Sequence, residues 1–309
     1  MPEGAIAARK TRSPRLNMKQ KTYLFVYTCL LIPLIFYLTI RFFPTLYTFN
    51  IGFQDYQILT GEHEYVFFDN YAAIFQDPVF IRSLINTIIV IVFGVLGQVI
   101  LGLAVALLLQ KINRFKGLFR VIYFIPYVTS IVAVSWVFRW LFMNNGFVNN
   151  FLVELGFSPQ GFLGDPEQAI YIIVGTMIWQ ALGFQMVIFL AGLENIPESF
   201  YEAADVDGAS AWNKFKSITI PLLNPTIVFS VVIGTITFIQ VSFTQVVNMS
   251  PDGAGGPLHS TITVVVYIYR LAFNQFNMGM ASAATVVLFI AILMLTLFQM
   301  KVLTRKFDY

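Results

Sequence analysis

The chain has 309 residues, of which 57% are hydrophobic and 16% aromatic but only 11% charged, with a mean hydropathy of +0.73 and a formal net charge of +3. Soluble domains carry about 25% charged residues, so this chain has too few to cover a water-facing surface, and cytosolic enzymes and soluble nucleic-acid binders are excluded. One Cys and two His exclude a disulfide framework and a Cys/His metal cluster.

A membrane core about 30 Å thick needs roughly 20 apolar residues per helical span. Six segments qualify, at 22–43, 82–109, 119–141, 169–192, 223–246 and 280–300, and none contains Asp or Glu. The first is too long for a signal peptide and lacks a small-x-small cleavage site after it, so an anchor is expected. An all-α membrane protein with six transmembrane helices follows. Fifteen of the 19 Lys and Arg fall on one side: Arg9 to Lys21, Lys111 to Arg120, Lys214 and Lys216, and Lys301 to Lys306. Basic residues stay cytoplasmic, so both termini are expected inside. Residues 1–21 read as a disordered basic cytoplasmic tail touching anionic headgroups. Residues 22–309 read as the transmembrane domain.

On the outer side, loop 44–81 is aromatic and is expected to pack at the membrane surface. Within residues 258–279 the run Thr261 to Phe273 is apolar but short, contains Arg270, and as a seventh span would put the basic C-terminus outside, so an interfacial helix is expected there. Arg82, Arg139 and Arg270 are expected to anchor headgroups or a partner's acids, an anionic substrate being the other option. Pro33 and Pro126 are expected to kink their helices.

No phosphate-binding G-x-x-x-x-G-K-[ST] loop and no H-E-x-x-H motif occurs. Self-driven carriers commonly relay charge through acids or His inside the spans. None is present here, so energy is expected from another chain.

Cytoplasmic segment 193–222 is the most informative stretch. Asn195 is a candidate cap for a helix opening with Pro197 and Glu198. Glu202, Ala203 and Ala204 follow, Gly208 can turn the chain, and Trp212 and Phe215 stand one helical turn apart. From the residues alone, a docking helix–turn–helix and an amphipathic loop resting on headgroups stay equally open.

Glu202-Ala203-Ala204, Gly208 at the sixth position after Glu202, and Ile218-x-Ile220-Pro221 resemble the EAA signature of binding-protein-dependent ABC importer permeases, with Ile220 in place of the more usual Leu. Weaker features, among them Asp69-Asn70-Tyr71, Phe124-x-Pro126, Gly255-Gly256-Pro257 and Ala281-Ser-Ala283, extend the likeness over most of residues 22–309. They resemble the carbohydrate branch, of the maltose-F or glycerol-phosphate-A type. The resemblance implies a type I ABC importer permease fold in a bacterial or archaeal cytoplasmic membrane. It implies as partners a second permease, two ATPase subunits that hold ATP and Mg, and an extracytoplasmic solute-binding protein; no cofactor is implied in this chain. It also implies that Glu202, Ala203, Ala204, Asp207, Gly208 and Phe215 contact an ATPase.

A path for a sugar or sugar-like solute needs hydrogen-bonding groups and aromatic faces turned inward. Thr235, Phe238, Ser242 and Gln245 recur at helical spacing in the fifth span, and Gln180, Phe184 and Gln185 lie in the fourth. By the resemblance, substrate contacts are expected at Gln180, Phe184, Thr235, Phe238 and Ser242, with Gln245 on the same stripe. Helix-to-helix bonding by the same residues is the plain alternative. The competing function is a stand-alone channel or uniporter.

Overall fold

The computed structural model describes residues 17–112 and 114–304. Most of the expected basic tail therefore lies outside the described residues. The chain divides into two compact units, residues 1–50 and 51–309.

The first unit is essentially one helix, α1 (Met18–Ile51), with no buried residue from Met18 to Ile51. It opens at Asn17, whose N–H donates to Gln20 Oε1 at 2.9 Å, so Lys19 and Lys21 belong to the helix and not to a tail. At 1.5 Å per residue its 34 residues reach about 51 Å, well beyond the apolar core. Pro33 sits inside it and a π-helical turn follows at Leu38–Phe42.

The second unit replaces the expected aromatic loop with ordered elements. Strands β1 (Gln54–Tyr56) and β2 (His63–Tyr65) pair antiparallel with Gln54 opposite Tyr65. Helix α2 (Asp69–Gln76) follows, and α3 (Pro78–Gln110) starts four residues before the expected span. Asp77 caps α3 by accepting from the Val79 N–H at 2.8 Å, and Pro78 fills the first turn, where a missing N–H costs nothing. Tyr71, Phe53 and Phe68 pack ring against ring beneath the hairpin, so these aromatics hold protein together and do not simply float at the interface.

The expected span 119–141 is broken. Helices α4 (Lys116–Val128) and α5 (Ile131–Leu141) meet at 91°. Thr129 and Ser130 adopt non-helical conformations between them, and both are weak helix formers that compete for backbone hydrogen bonds. The break falls three residues past Pro126. With α6 (Phe147–Glu154), α7 (Ala169–Glu194), α10 (Asn224–Met249) and α12 (Met278–Leu303), the described residues hold five helices long enough to cross a membrane, or six if the bent pair is one span.

Helices α3, α7 and α10 form the centre. Small residues let their backbones approach: a Cβ on Gly97 would stand 2.5 Å from Ile178 and one on Gly102 only 2.6 Å from the Gln185 Cβ. The 258–279 segment is neither a span nor a surface helix. Its helix α11 (Val264–Tyr269) and the π turn Arg270–Asn274 bury Val264, Val266, Tyr267, Leu271 and Ala272 in the main core. Asn86 fastens the approach by donating to the carbonyls of His259 and Ile262. Tyr267 donates to Asp77 at 2.7 Å, and burial, reinforced by that carboxylate, raises its hydroxyl above the usual tyrosine range.

Candidate functional site

Two places bring the expected functional residues together. The first is a cavity of about 60 Å³ where α4, α5, α7 and α10 meet, lined by Tyr127, Ile131, Met177, Gln180, Thr237 and Phe238 among others. Small-molecule pockets run to about 300–1,000 Å³, so in this conformation the space is far smaller than a ligand site.

Gln180 is its central polar group. It is buried, donates through Nε2 to the Thr129 carbonyl at 3.2 Å, and accepts from Gln245 Nε2 at 2.9 Å. One side chain thus satisfies a carbonyl freed at the helix break and ties α7 to α10. Such pairing is what a polar group in a low-dielectric interior requires. Phe184 stacks on Tyr127 with centroids 4.8 Å apart and planes 13° from parallel. Gly183 makes this approach possible, since a Cβ there would stand 2.7 Å from Phe124 Cα.

Of the six expected path residues, Gln180 and Phe238 line the cavity, while Gln245 and Phe184 each touch a residue that does. Thr235 and Ser242 do not reach it. Thr235 accepts from Gln299 Nε2 of α12 at 3.0 Å, and Ser242 bonds the Ile239 carbonyl and Thr263. The stripe Thr235–Phe238–Ser242–Gln245 is fully buried, as its spacing requires, but it mostly packs on protein. Sequence reasoning missed Tyr127, Met177 and Thr237. It also passed over a second stripe on α10, at Thr237, Gln240, Thr244 and Asn248, where Gln240 is exposed and the others half-buried. The 3–4–4 spacing was legible; what was missing was the direction of that face.

The second place is the segment 193–222. Asn195 does not cap the next helix but ends α7, its N–H donating to the Leu193 carbonyl, and Pro197 occupies the N-cap position of α8 (Glu198–Val206). Proline pushes the residue before it out of helical geometry, which separates the two helices. Gly208 has φ +71°, the left-handed region glycine enters without cost. Ser210 then caps α9 (Ala211–Lys214), and the π turn Phe215–Thr219 leads through Ile220–Leu222 into α10. Glu202, Ala203, Asp207 and Gly208 are exposed, Ala204 and Phe215 half-buried, and α8 and α9 contain no buried residue. Val206 is 88% and Trp212 67% exposed, although Trp212 packs on Phe215 at 5.6 Å. At the α7 end, Glu194 receives both Lys116 at 3.0 Å and Arg120 at 2.6 Å.

Of Arg82, Arg139 and Arg270, the last two find partners within the chain. Arg139 lies over the Trp136 ring and donates to the carbonyls of Asn248 and Pro251 at the end of α10, where the helix dipole favours a cation. Arg270 bonds His259 at 3.2 Å.

A multi-pass helical bundle with a small, largely apolar cavity at a helix break, with Gln180 in its wall, and an uncovered helix–turn–helix beyond its spans has the build of a transporter's membrane subunit. Comparison with known proteins makes the class specific. Residues 98–309 match the family of binding-protein-dependent transport system inner membrane components, and the chain belongs to it, as a permease of the ABC importer class. It is 40% identical to the lactose transport system permease protein LacF of Rhizobium radiobacter over 231 residues, 72% of this chain and 76% of that one. It is 34% identical to the arabinooligosaccharides transport system permease protein AraP of Bacillus subtilis (strain 168), over 92% of this chain and 89% of the relative. Among solved structures, a chain of a bacterial alginate ABC transporter, in complex with an alginate pentasaccharide-bound periplasmic protein, superposes with TM-score 0.77 at 26% identity, covering 90% of this chain and 93% of its own.

Proposed function

We propose that this chain is one of two permeases of a sugar importer in a bacterial or archaeal cytoplasmic membrane. In this reading it crosses the membrane six times, the bent pair α4–α5 counting as one span, with both ends cytoplasmic. A solute-binding protein delivers a sugar or sugar-like solute from outside, and two ATPase subunits drive alternating access from inside. The carbohydrate relatives support the solute class, and the complex with a loaded periplasmic protein supports the delivery partner.

The observation that carries the reading is the bare cytoplasmic segment. Large apolar side chains at Val206 and Trp212 stand uncovered beside Glu202, Ala203 and Asp207, and small residues at 203 and 204 admit close approach by another surface. We assign Glu202, Ala203, Ala204, Asp207, Gly208 and Phe215 to ATPase contact. The solute path runs along Gln180, Phe184, Phe238 and Gln245, with Tyr127 and the stripe Thr237, Gln240 and Thr244 completing its wall. A polar stripe facing lipid is costly, so the exposed Gln240 supports a water-filled path closed by the second permease. Thr235 and Ser242 hold α10 to its neighbours. ATPase closure moves the cytoplasmic segment, and this chain does no bond chemistry itself.

The test is affinity purification of this chain from its native membranes with intact mass of what accompanies it. A particle with a second permease and two ATPases is expected, and Glu202→Lys should release the ATPases. A chain that emerges alone or as a homo-oligomer overturns the reading.

A further inference from the structure

Within the segment 193–222, α8 is joined to the rest of the chain at two ends. One is the Ile196–Pro197 connection, where Ile196 packs against the core around Phe189 and Leu193. The other is the turn at Gly208, where a Cβ would meet nothing within 4 Å and φ is +71°. Helix α8 contributes no buried residue that would anchor it. Its tie through Lys214 and Asp205, at 2.6 Å, is 61% exposed on the Asp205 side, and exposed ion pairs hold little in water. A helix so mounted would swing on its ends when pulled.

One contact is of a different kind. Tyr201, directly before Glu202, shares a 2.9 Å hydrogen bond between its hydroxyl and the hydroxyl of Thr219, which is buried. Thr219 closes the π turn Phe215–Thr219, and its carbonyl accepts from the Leu223 N–H at 2.9 Å, at the foot of α10. Helix α10 carries Thr237 and Phe238 to the cavity. A route from α8 to the cavity wall therefore runs through this hydroxyl pair. π turns recur at functional positions, and coupling needs a physical chain of this sort between two arrangements.

We infer that Tyr201 and Thr219 form a strut that transmits movement of the ATPase-contacting helix to α10; both are positioning residues. The inference rests on the coupling role proposed above. A merely structural pair would also hold the fold, so the test needs a readout of transmission. The intact complex of this chain with its second permease and ATPases is purified with Cys29→Ser, and spin labels are placed at Val128→Cys and Phe229→Cys, both exposed positions. ATP with vanadate is the probe, and the fraction of molecules with a shifted label distance is read.

Tyr201→Phe and Thr219→Val should each keep the ATPases bound and trap nucleotide normally, yet lower the shifted fraction about fivefold, the factor expected for one ordinary hydrogen bond. The double variant should be no worse than either single one, and Thr219→Ser, which keeps the hydroxyl, should restore the parent response. A shifted fraction within twofold of the parent in both single variants overturns the strut. Release of the ATPases by Tyr201→Phe also overturns it, because the pair would then serve assembly. If the parent complex holds no ATPase, the coupling reading fails first and the strut with it.

Discussion

The cavity region and the segment 195–222 are held in opposite ways. Around the cavity, backbones touch across glycines, and Gln180 is tied to both Thr129 and Gln245. In the segment 195–222, α8 and α9 bury nothing, and their hold is a few surface contacts plus one hydroxyl pair. In the first region a Cβ at Gly183 would meet backbone, whereas the second leaves Val206 and Trp212 uncovered. Substitutions should therefore change stability in the cavity region and assembly in the segment.

The largest break in that contrast should come from Gly183→Ala. The new Cβ meets the backbone of α4, including Phe124 Cα at 2.7 Å, and backbone cannot swing aside. Overpacking of this kind costs about 1–3 kcal/mol, and the upper end is expected here. A clear fall in the melting temperature of the detergent-solubilised chain is the readout. Gly175→Ala is the control, since nothing lies within 4 Å of its Cβ position; in a helix interior it should be neutral or stabilising by up to about 1 kcal/mol.

Gln180→Leu comes next. It strands the Thr129 carbonyl at the helix break and leaves Gln245 without its acceptor. The expected cost is about 1–2 kcal/mol in a membrane interior. Adding Gln245→Leu removes one of the two stranded groups, so the double variant should be more stable than Gln180→Leu alone. If the double variant loses the sum of two independent costs, the clamp at the break is not what holds α4 and α5.

The two regions were also unequally legible in the sequence. The segment is short, and its turn, its caps and the Glu202-Ala203-Ala204 spacing are local, so Gly208 takes the expected left-handed turn and Trp212 meets Phe215. Asn195 was misplaced because a cap depends on where the preceding helix stops, and α7 stops on Asn195 itself. Span positions follow from hydropathy, and the helices lie within about four residues of them, except that α1 runs on to Ile51, past the expected end at residue 43. A kink was expected at Pro126, but the full break at 129–130 was not legible, because the apolar run continues through it and the carbonyl it frees is bonded by Gln180, 51 residues away. Spacing puts Thr235, Phe238, Ser242 and Gln245 on one buried face. Which neighbour that face meets depends on α12 and on Thr263, which periodicity does not reveal.

Smaller effects sharpen the contrast from the other side. Glu194 joins Lys116 and Arg120 where α7 hands over to α8, but its side chain is 50% exposed. Glu194→Gln should therefore cost under about 1 kcal/mol, shrinking further as salt is raised. A loss as large as that of Gln180→Leu would mean that this end of α7 is built like the cavity region after all.

Gln240 should matter least for stability, because it is exposed and packs into no core. Its value lies in what faces it. With Cys29→Ser as background, Gln240→Cys should react with a charged, membrane-impermeant thiol reagent in the assembled complex, at a rate that changes when ATP and vanadate are added. A thiol at a water-filled path ionises and reacts, whereas one facing hydrocarbon stays protonated and inert. Reaction only with an apolar reagent, indifferent to nucleotide, would place lipid against this face. The stripe Thr237, Gln240 and Thr244 would then drop out of the path, leaving Gln180 and Tyr127 on the opposite wall as its polar groups.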